Sequence, residues 1–284
     1  MNIKAENLDY LVVGHITQDL LPDGTSITGG TVTYAAVCAR NLGYKAGILT
    51  SSDPNQTFPE LDGFSLYIKP SQSTTTFENI QTDSGRQQIL HKVASPLSAQ
   101  DIPENIKNPG IVHLGPLTNE IKLDLLYAFP DSLIGITPQG FMRQRSEGNI
   151  VNYKEWENAD KYLKRADAVV LSIEDVGGNM RLIDDYASKT DILVLTEGYL
   201  GASVYWHGDI RHFSAPKVPV IDPTGAGDIF AAVFFTAFHH SKDPWLAAKK
   251  AVSIASASVS RVGIKGVPTT KEMRTFQIEI IEGK

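Results

Sequence analysis

A single cysteine, Cys38, stands in a chain of 284 residues, and without a second thiol neither an internal disulfide nor a thiolate metal cage can form. Cys38 lies in an Ala/Val-rich stretch, where a free cysteine is expected to pack as a small buried hydrophobe. Long apolar runs are missing too. No stretch approaches about eighteen continuous apolar residues, the least a membrane-spanning helix needs. The N-terminal segment passes from mixed polar residues into a strand pattern, with no basic region and long apolar segment of a secretory signal. Asn55-Gln56-Thr57 has the form of a glycosylation sequon, and without such a signal it reads as coincidence. Basic clusters are also absent: a net charge of -6 and a pI near 5.6 lack the footprint that nucleic acid requires. The expectation is a cytoplasmic protein that engages neither membrane nor nucleic acid.

With 42% hydrophobic and 20% charged residues, the chain can close one large core. Short apolar runs at 10–14, 46–50, 111–114, 133–137, 168–172 and 192–196 suit strands buried on both faces. Between them, 31–42, 119–128, 153–165 and 179–189 carry apolar residues three or four apart and read as helices. Strand and helix alternating this often predict an α/β fold with a mainly parallel sheet covered by helices. Two pieces break the rhythm. Residues 20–28 turn at Pro22-Asp23-Gly24-Thr25, and 74–93 turn at Asp83-Ser84-Gly85. Both fit antiparallel hairpins outside the main sheet, a lid on a single domain spanning 1–284. A third hairpin, over 202–206 and 211–214, turns at His207-Gly208-Asp209. The patterns at 229–240 and 244–261 predict two long C-terminal helices, the second with an apolar stripe of Trp245, Ala248, Val252, Ala255 and Val259.

The chemistry concentrates in Asp222-Pro223-Thr224-Gly225-Ala226-Gly227-Asp228. A β-type run ends at Asp222, a turn of small residues follows, and a helix opens near Asp228. Gly225 and Gly227 leave peptide N–H groups uncovered, so an anion can approach the backbone. The helix start adds about half an elementary positive charge. Asp228, in the first turn, is favoured as a carboxylate and could accept a proton. Phosphoryl transfer needs those two things, a charge-neutralising cradle and a group that orients and deprotonates a hydroxyl. Read alone, the same residues would also serve as a helix cap beside a tight loop.

That heptapeptide resembles the C-terminal signature of the PfkB, or ribokinase-like, carbohydrate kinase family. The resemblance implies a three-layer ribokinase-like fold with a small β lid. It also implies that Asp228 is the catalytic base and that the backbone of Gly225, Ala226 and Gly227 is the anion hole. Val233 departs from the glycine or alanine common there, a matter of helix packing. Gly14 to Asp19 is similar to the family's first strand and turn, so Asp19 is implied to bind acceptor hydroxyls. Gly29-Gly30 before helix 31–42 is similar to the N-terminal signature, which faces backbone amides to the substrate. Tyr34 stands where members commonly have asparagine, and Thr17 where another asparagine is frequent. Both changes fall on the acceptor pocket and weaken the case for ribose.

Thr196-Glu197-Gly198-Tyr199-Leu200-Gly201 is similar to the family's Thr-x-Gly-x-x-Gly turn, which implies Thr196, Gly198 and Gly201, with Thr224, on the nucleotide phosphates. Glu174 and Asp175 occupy the place of the motif that organises Mg²⁺ through water, although an acidic helix start explains them as well. Pro138-Gln139-Gly140-Phe141-Met142-Arg143 resembles an inositol-kinase-like branch and makes Gln139 and Arg143 acceptor candidates. The adenine wall is expected around 255–259 and 263–266. The implied reaction moves the γ-phosphate of ATP, with Mg²⁺ and a monovalent cation as a further candidate, to a sugar, polyol or cyclitol, inositol being favoured. Nucleoside, ribose or fructose kinases of the same family are alternatives, as is a catalytically silent sugar- or nucleotide-binding regulator. A homodimer formed through the lid is also expected. No Gly-x-Gly-x-x-Gly turn follows the first strand and no Walker lysine loop exists, so dehydrogenase and P-loop readings fail. The seven histidines show no metal-ligand spacing.

Overall fold

Runs of Val, Ile and Leu too apolar to leave either face in water form the middle of a nine-stranded sheet. The computed structural model describes residues 6–82 and 85–282. In chain order come β1 (Tyr10–Val13), β2 (Thr17–Leu20), β3 (Ser26–Gly29), α1 (Thr31–Asn41), β4 (Ala46–Ser52), β5 (Ser65–Pro70), β6 (Thr75–Thr82) and β7 (Gly85–Lys92). The middle of the chain supplies β8 (Ile111–Leu114), β9 (Leu133–Ile136), β10 (Arg143–Arg145), β11 (Val151–Tyr153), α2 (Ala159–Arg165) and β12 (Ala168–Ser172). Then follow α3 (Met180–Ala187), β13 (Ile192–Thr196), β14 (Gly201–Trp206), β15 (Asp209–Ser214), α4 (Ala226–Ser241), α5 (Pro244–Ser258) and α6 (Thr270–Glu282).

The large sheet runs β15-β14-β13-β12-β9-β8-β1-β4-β5, parallel from β13 to β5 and antiparallel at the hairpin of β14 and β15. Side chains alternate between two cores, as strand geometry requires. Tyr10 and Val12 face the layer containing α1, α4 and α5, while Leu11 and Val13 face the layer containing α2 and α3. Helix α1 is buried from Thr31 to Ala39, which explains its small and apolar composition. In the first core His113 lies edge-on to Phe235, 5.0 Å between ring centres, and burial pushes its pKa down to about 3, so the imidazole stays neutral. Among the described residues no helix is long and apolar enough to cross a membrane.

The two hairpins set apart by their sequence combine into a separate four-stranded sheet, β3-β2-β6-β7, in which β2 and β6 pair in parallel. Of the turn expected at 83–85, Asp83 and Ser84 lie outside the described residues.

Two expected helices are corrected. Over 119–128 only a 3-10 turn, Leu123–Tyr127, forms. The buried Glu120 carboxylate accepts the amides of Leu117, Thr118 and His15, which holds the chain ahead of it in a loop. Over 153–165 the chain leaves β11 and becomes helical only at Ala159, after Asn158 in a left-handed conformation. There Trp156 is drawn into an aromatic cluster, stacked on Phe141 at 5.5 Å and edge-on to Tyr186. A compact side chain in place of Phe235, which is fully buried against His113 and Gly135, leaves a cavity in the first core. Phe235→Ala is expected to lower unfolding free energy by about 3–5 kcal/mol in a denaturant titration, and a loss below about 1 kcal/mol would contradict this packing.

Candidate functional site

The parallel strands β1, β8, β9, β12 and β13 deliver Gly14, Gly115, Thr137, Ser172 and Thr196 to one edge of the sheet, the edge at which open α/β sheets bind ligands. The segment before α4 is pinned there. The Ile221 and Asp222 amides donate to the Val259 carbonyl at 2.8 and 3.0 Å. The Asp222 carboxylate accepts the Thr224 amide at 2.9 Å and the Gly263 amide at 2.8 Å. One side chain thus shapes the turn and ties it to the loop after α5.

Gly225 caps α4 at φ 78, a left-handed conformation, and any side chain there would run into the Tyr34 ring. Gly227, by contrast, borders open space. Among the described residues, the N–H groups of Gly225, Gly227 and Asp228 donate to no backbone carbonyl, while Ile229 begins the regular helical bonding to Gly225. Two supports of the turn escaped the sequence reading. Tyr34, expected in the acceptor pocket, is buried beneath the turn, with its hydroxyl 4.0 Å from the position a Gly263 side-chain carbon would take. Burial raises its pKa, and so do Asp228, Asp19 and Asp222. Thr31, the first residue of α1, lies beside the Asp228 carboxylate and lowers its pKa. Its place directly after Gly29-Gly30 is the one signal that could have marked it.

Asp228 occupies the first turn of α4 and is partly accessible. Burial is the largest influence on its carboxyl and raises the pKa to about 6; Thr31 and Arg143 pull it down, and Asp175 pushes it up. The group therefore changes charge in the range where a proton acceptor is useful.

On the opposite wall, Asp19 in β2 accepts a hydrogen bond from the Thr17 hydroxyl at 3.0 Å, and its carboxylate touches the backbone of Gly29. Gly30 caps α1 at φ 92 with its α-carbon turned towards the His15 carbonyl, an approach that excludes a side chain. Buried His15 bridges the Thr75 hydroxyl at 2.7 Å and the Ser95 carbonyl at 3.0 Å, tying the small sheet to the large one.

Gln139, Arg143, Glu174 and Asp175 line a single cavity of about 710 Å³. The Gln139 amide donates to Asp175 at 2.9 Å, and the second Asp175 oxygen accepts the Ser172 amide at 2.9 Å in a capping box. Glu174 is exposed. Among the described residues no group of three acidic, His or Cys side chains could hold a metal directly. Thr196 closes β13 with its hydroxyl donating to the Leu171 carbonyl at 3.3 Å, and Gly198 and Gly201 bracket the 3-10 turn that leads into β14. Val220, Ile221 and Val262 form an exposed apolar shelf directly before and beside the Asp222 turn.

The description "pfkB family carbohydrate kinase" matches residues 151–270. A cytidine kinase of Thermococcus kodakarensis is 26% identical over 263 residues, covering 83% of this chain and 90% of its own. A nucleoside kinase of Methanocaldococcus jannaschii is 26% identical over 235 residues, 77% of this chain and 74% of its own. In structure, a pyrophosphate-dependent kinase of the ribokinase family, complexed with a pyrophosphate analog and myo-inositol, superposes with a TM-score of 0.79 at 23% identity, over 94% of this chain and 99% of its own. The Asp-Pro-Thr-Gly-Ala-Gly-Asp turn lies inside the matched segment, on a fold that follows those neighbours nearly end to end. Residues 151–270 thus match the pfkB family of carbohydrate kinases, and the chain adopts a ribokinase-like fold.

Proposed function

We propose that the protein transfers the γ-phosphate of ATP to a hydroxyl of a small polyhydroxylated acceptor, with Asp228 as the base. The observation that carries this reading is the joint opening of α4, where uncommitted peptide N–H groups and a carboxylate with a raised pKa share one helical turn. In the proposed step the acceptor oxygen bonds to the γ-phosphorus, the bond to the β-phosphate oxygen breaks, ADP leaves, and the hydroxyl proton passes to Asp228. The amides of Gly225 and Gly227 would neutralise the transferring oxygens, whereas the Ala226 amide, expected to share that role, donates to the Pro223 carbonyl at 3.2 Å. Asp19 and the Gly29-Gly30 turn would hold the acceptor, with Gln139 and Arg143 at its far side and Tyr34 supporting the turn from beneath. The small sheet would act as a lid that excludes water as a competing nucleophile.

Thr196, Gly198, Gly201 and Thr224 would face the nucleotide phosphates. The shelf of Val220, Ile221 and Val262 favours a donor carrying a base, because bare pyrophosphate gains nothing from apolar surface. With no direct acidic cage among the described residues, Mg²⁺ would be held by the phosphates and, through water, by Asp175 and Glu174, a mode that suits this ion. Mg²⁺ would supply charge neutralisation between the β- and γ-phosphates. The acceptor stands open between the inositol-like polyol favoured by Gln139 and Arg143 and the nucleosides named for the relatives from Thermococcus and Methanocaldococcus.

Asp228→Asn is expected to lower kcat by about 10²- to 10⁴-fold with ATP as donor, measured by ADP release. Nearly full activity in that variant, or turnover with pyrophosphate but not with ATP, would refute the corresponding assignment. The base must be ionised, so kcat/KM should fall as pH drops below about 6, and this limb should vanish from the residual activity of Asp228→Asn. Stability carries the opposite sign. A folded-state pKa raised from 3.8 to about 6 means that the stability this group contributes is full below about pH 4 and is lost as pH rises through about 6. The Asn variant should therefore gain in Tm relative to the parent protein at pH 8 compared with pH 4, and an equal difference at both values would contradict the raised pKa.

A further inference from the structure

The four strands of the small sheet carry a continuous row of side chains on one face. The register pairs Asp19 with Phe77 and Phe77 with Leu90, and two residues along, Asn79 with Gln88. Side chains two apart share a face, so Asp19, Phe77, Leu90, Asn79 and Gln88 all point the same way. That face looks into the cleft, because Phe77 and Leu90 pack on Leu117 of the main body and on Val151 of the hairpin of β10 and β11. From Asp19 to the β7 row is two strand spacings, about 10 Å.

At the β7 end of this row lies the cavity of about 710 Å³. Its walls are β7 with Gln87 and Gln88, the hairpin with Arg143, Val151 and Tyr153, and the turn 174–177. The walls are joined to one another. Ile89 bridges to Ile150, and the Arg145 guanidinium donates to the His91 carbonyl at 3.2 Å. Arg143 lines this cavity and lies near enough to Asp228 to lower its pKa, and the shared face of the small sheet runs from Asp19 to the cavity wall at Gln88.

The lining chemistry is particular. The side-chain amides of Gln88, which donates to Asn79 at 3.1 Å, and of Gln139 meet the half-exposed ring of Tyr153 and the apolar flanks of Met142, Val151 and Val176. A single hydroxylated ring would fill only the Asp19 end of a cleft this long and would have no use for an aromatic face. Amides present a donor and an acceptor side by side, which matches the edge of a heteroaromatic ring, and a half-exposed phenol offers its face for stacking. We infer that the acceptor is a nucleoside, with its ribose against Asp19 and Asp228 and its base seated in the cavity between β7 and the hairpin 143–153, where Gln88 and Tyr153 select it. This rests on the kinase reading above and names the substrate class of the same site.

The experiment measures ADP release from ATP with cytidine, uridine, adenosine and guanosine against ribose and myo-inositol, for the parent protein, Gln88→Ala and Tyr153→Ala. One or more nucleosides should exceed ribose and myo-inositol in kcat/KM by about 100-fold. Each variant should raise the KM for that nucleoside about tenfold, with the KM for ATP unmoved, as expected for lost hydrogen bonding or stacking to a base. Turnover of ribose or myo-inositol equal to or better than every nucleoside would overturn the inference while leaving the kinase reading intact. So would variants that handle nucleosides like the parent. If no acceptor is turned over, the kinase reading fails, and calorimetric titration with the same nucleosides then decides the pocket. Binding weakened in both variants would uphold the base site, and no binding in the parent protein would reject it.

Discussion

A carboxylate and several uncommitted peptide N–H groups share the first turn of α4, and the surrounding structure keeps both accessible. Elsewhere in a folded chain such groups would be paired off, because unpaired buried polar groups are costly. Here the partners that could satisfy them are employed in other ways. Asp222 spends its oxygens on Thr224 and Gly263, fixing the turn from both sides. The Tyr34 ring fills the space beneath Gly225, so the turn can neither collapse inward nor accept a side chain. The result is a turn held from both sides in which, among the described residues, the Gly225, Gly227 and Asp228 amides donate to no backbone carbonyl.

Electrostatic balance around Asp228 explains why it remains a usable proton acceptor. Burial alone would drive the carboxyl towards neutrality, and Asp175 adds to that push. Thr31 and Arg143 offset part of it, leaving a pKa of about 6. Arg143 thereby acts on Asp228 and also lines the side cavity, and Gln139 links that cavity to Asp175.

Much of this was legible in the residues. The apolar runs announced the parallel strands because both of their faces are buried, and the string from Asp222 to Asp228 announced the tight turn that opens α4, although the run expected to end as a strand at Asp222 is an exposed loop held by Val259 instead. The hairpins lacked the apolar density of the central strands, and they do form a sheet of their own. What failed were segments where tertiary contacts override periodicity. Glu120 draws three amides onto one buried carboxylate and holds the start of 119–128 in a loop, although the apolar spacing of that segment is helical. Trp156 leaves the helical path because Phe141, Tyr162 and Tyr186 offer it an aromatic nest. The hairpin of β10 and β11 has strands of three residues each, too short for alternation to register, so the second wall of the cavity was invisible. Tyr34 was noticed as a departure, but a substitution cannot reveal that its ring lies under the turn.

The account stands on the α4 turn being the place where the transferred phosphate sits. A crystal structure with Mg²⁺ and a non-hydrolysable ATP analogue tests this directly. The account predicts the terminal phosphate within hydrogen-bonding reach of the Gly225 to Gly227 amides, with Asp228 facing the open side of the phosphorus. A terminal phosphate ordered elsewhere, with that turn bare, would contradict it.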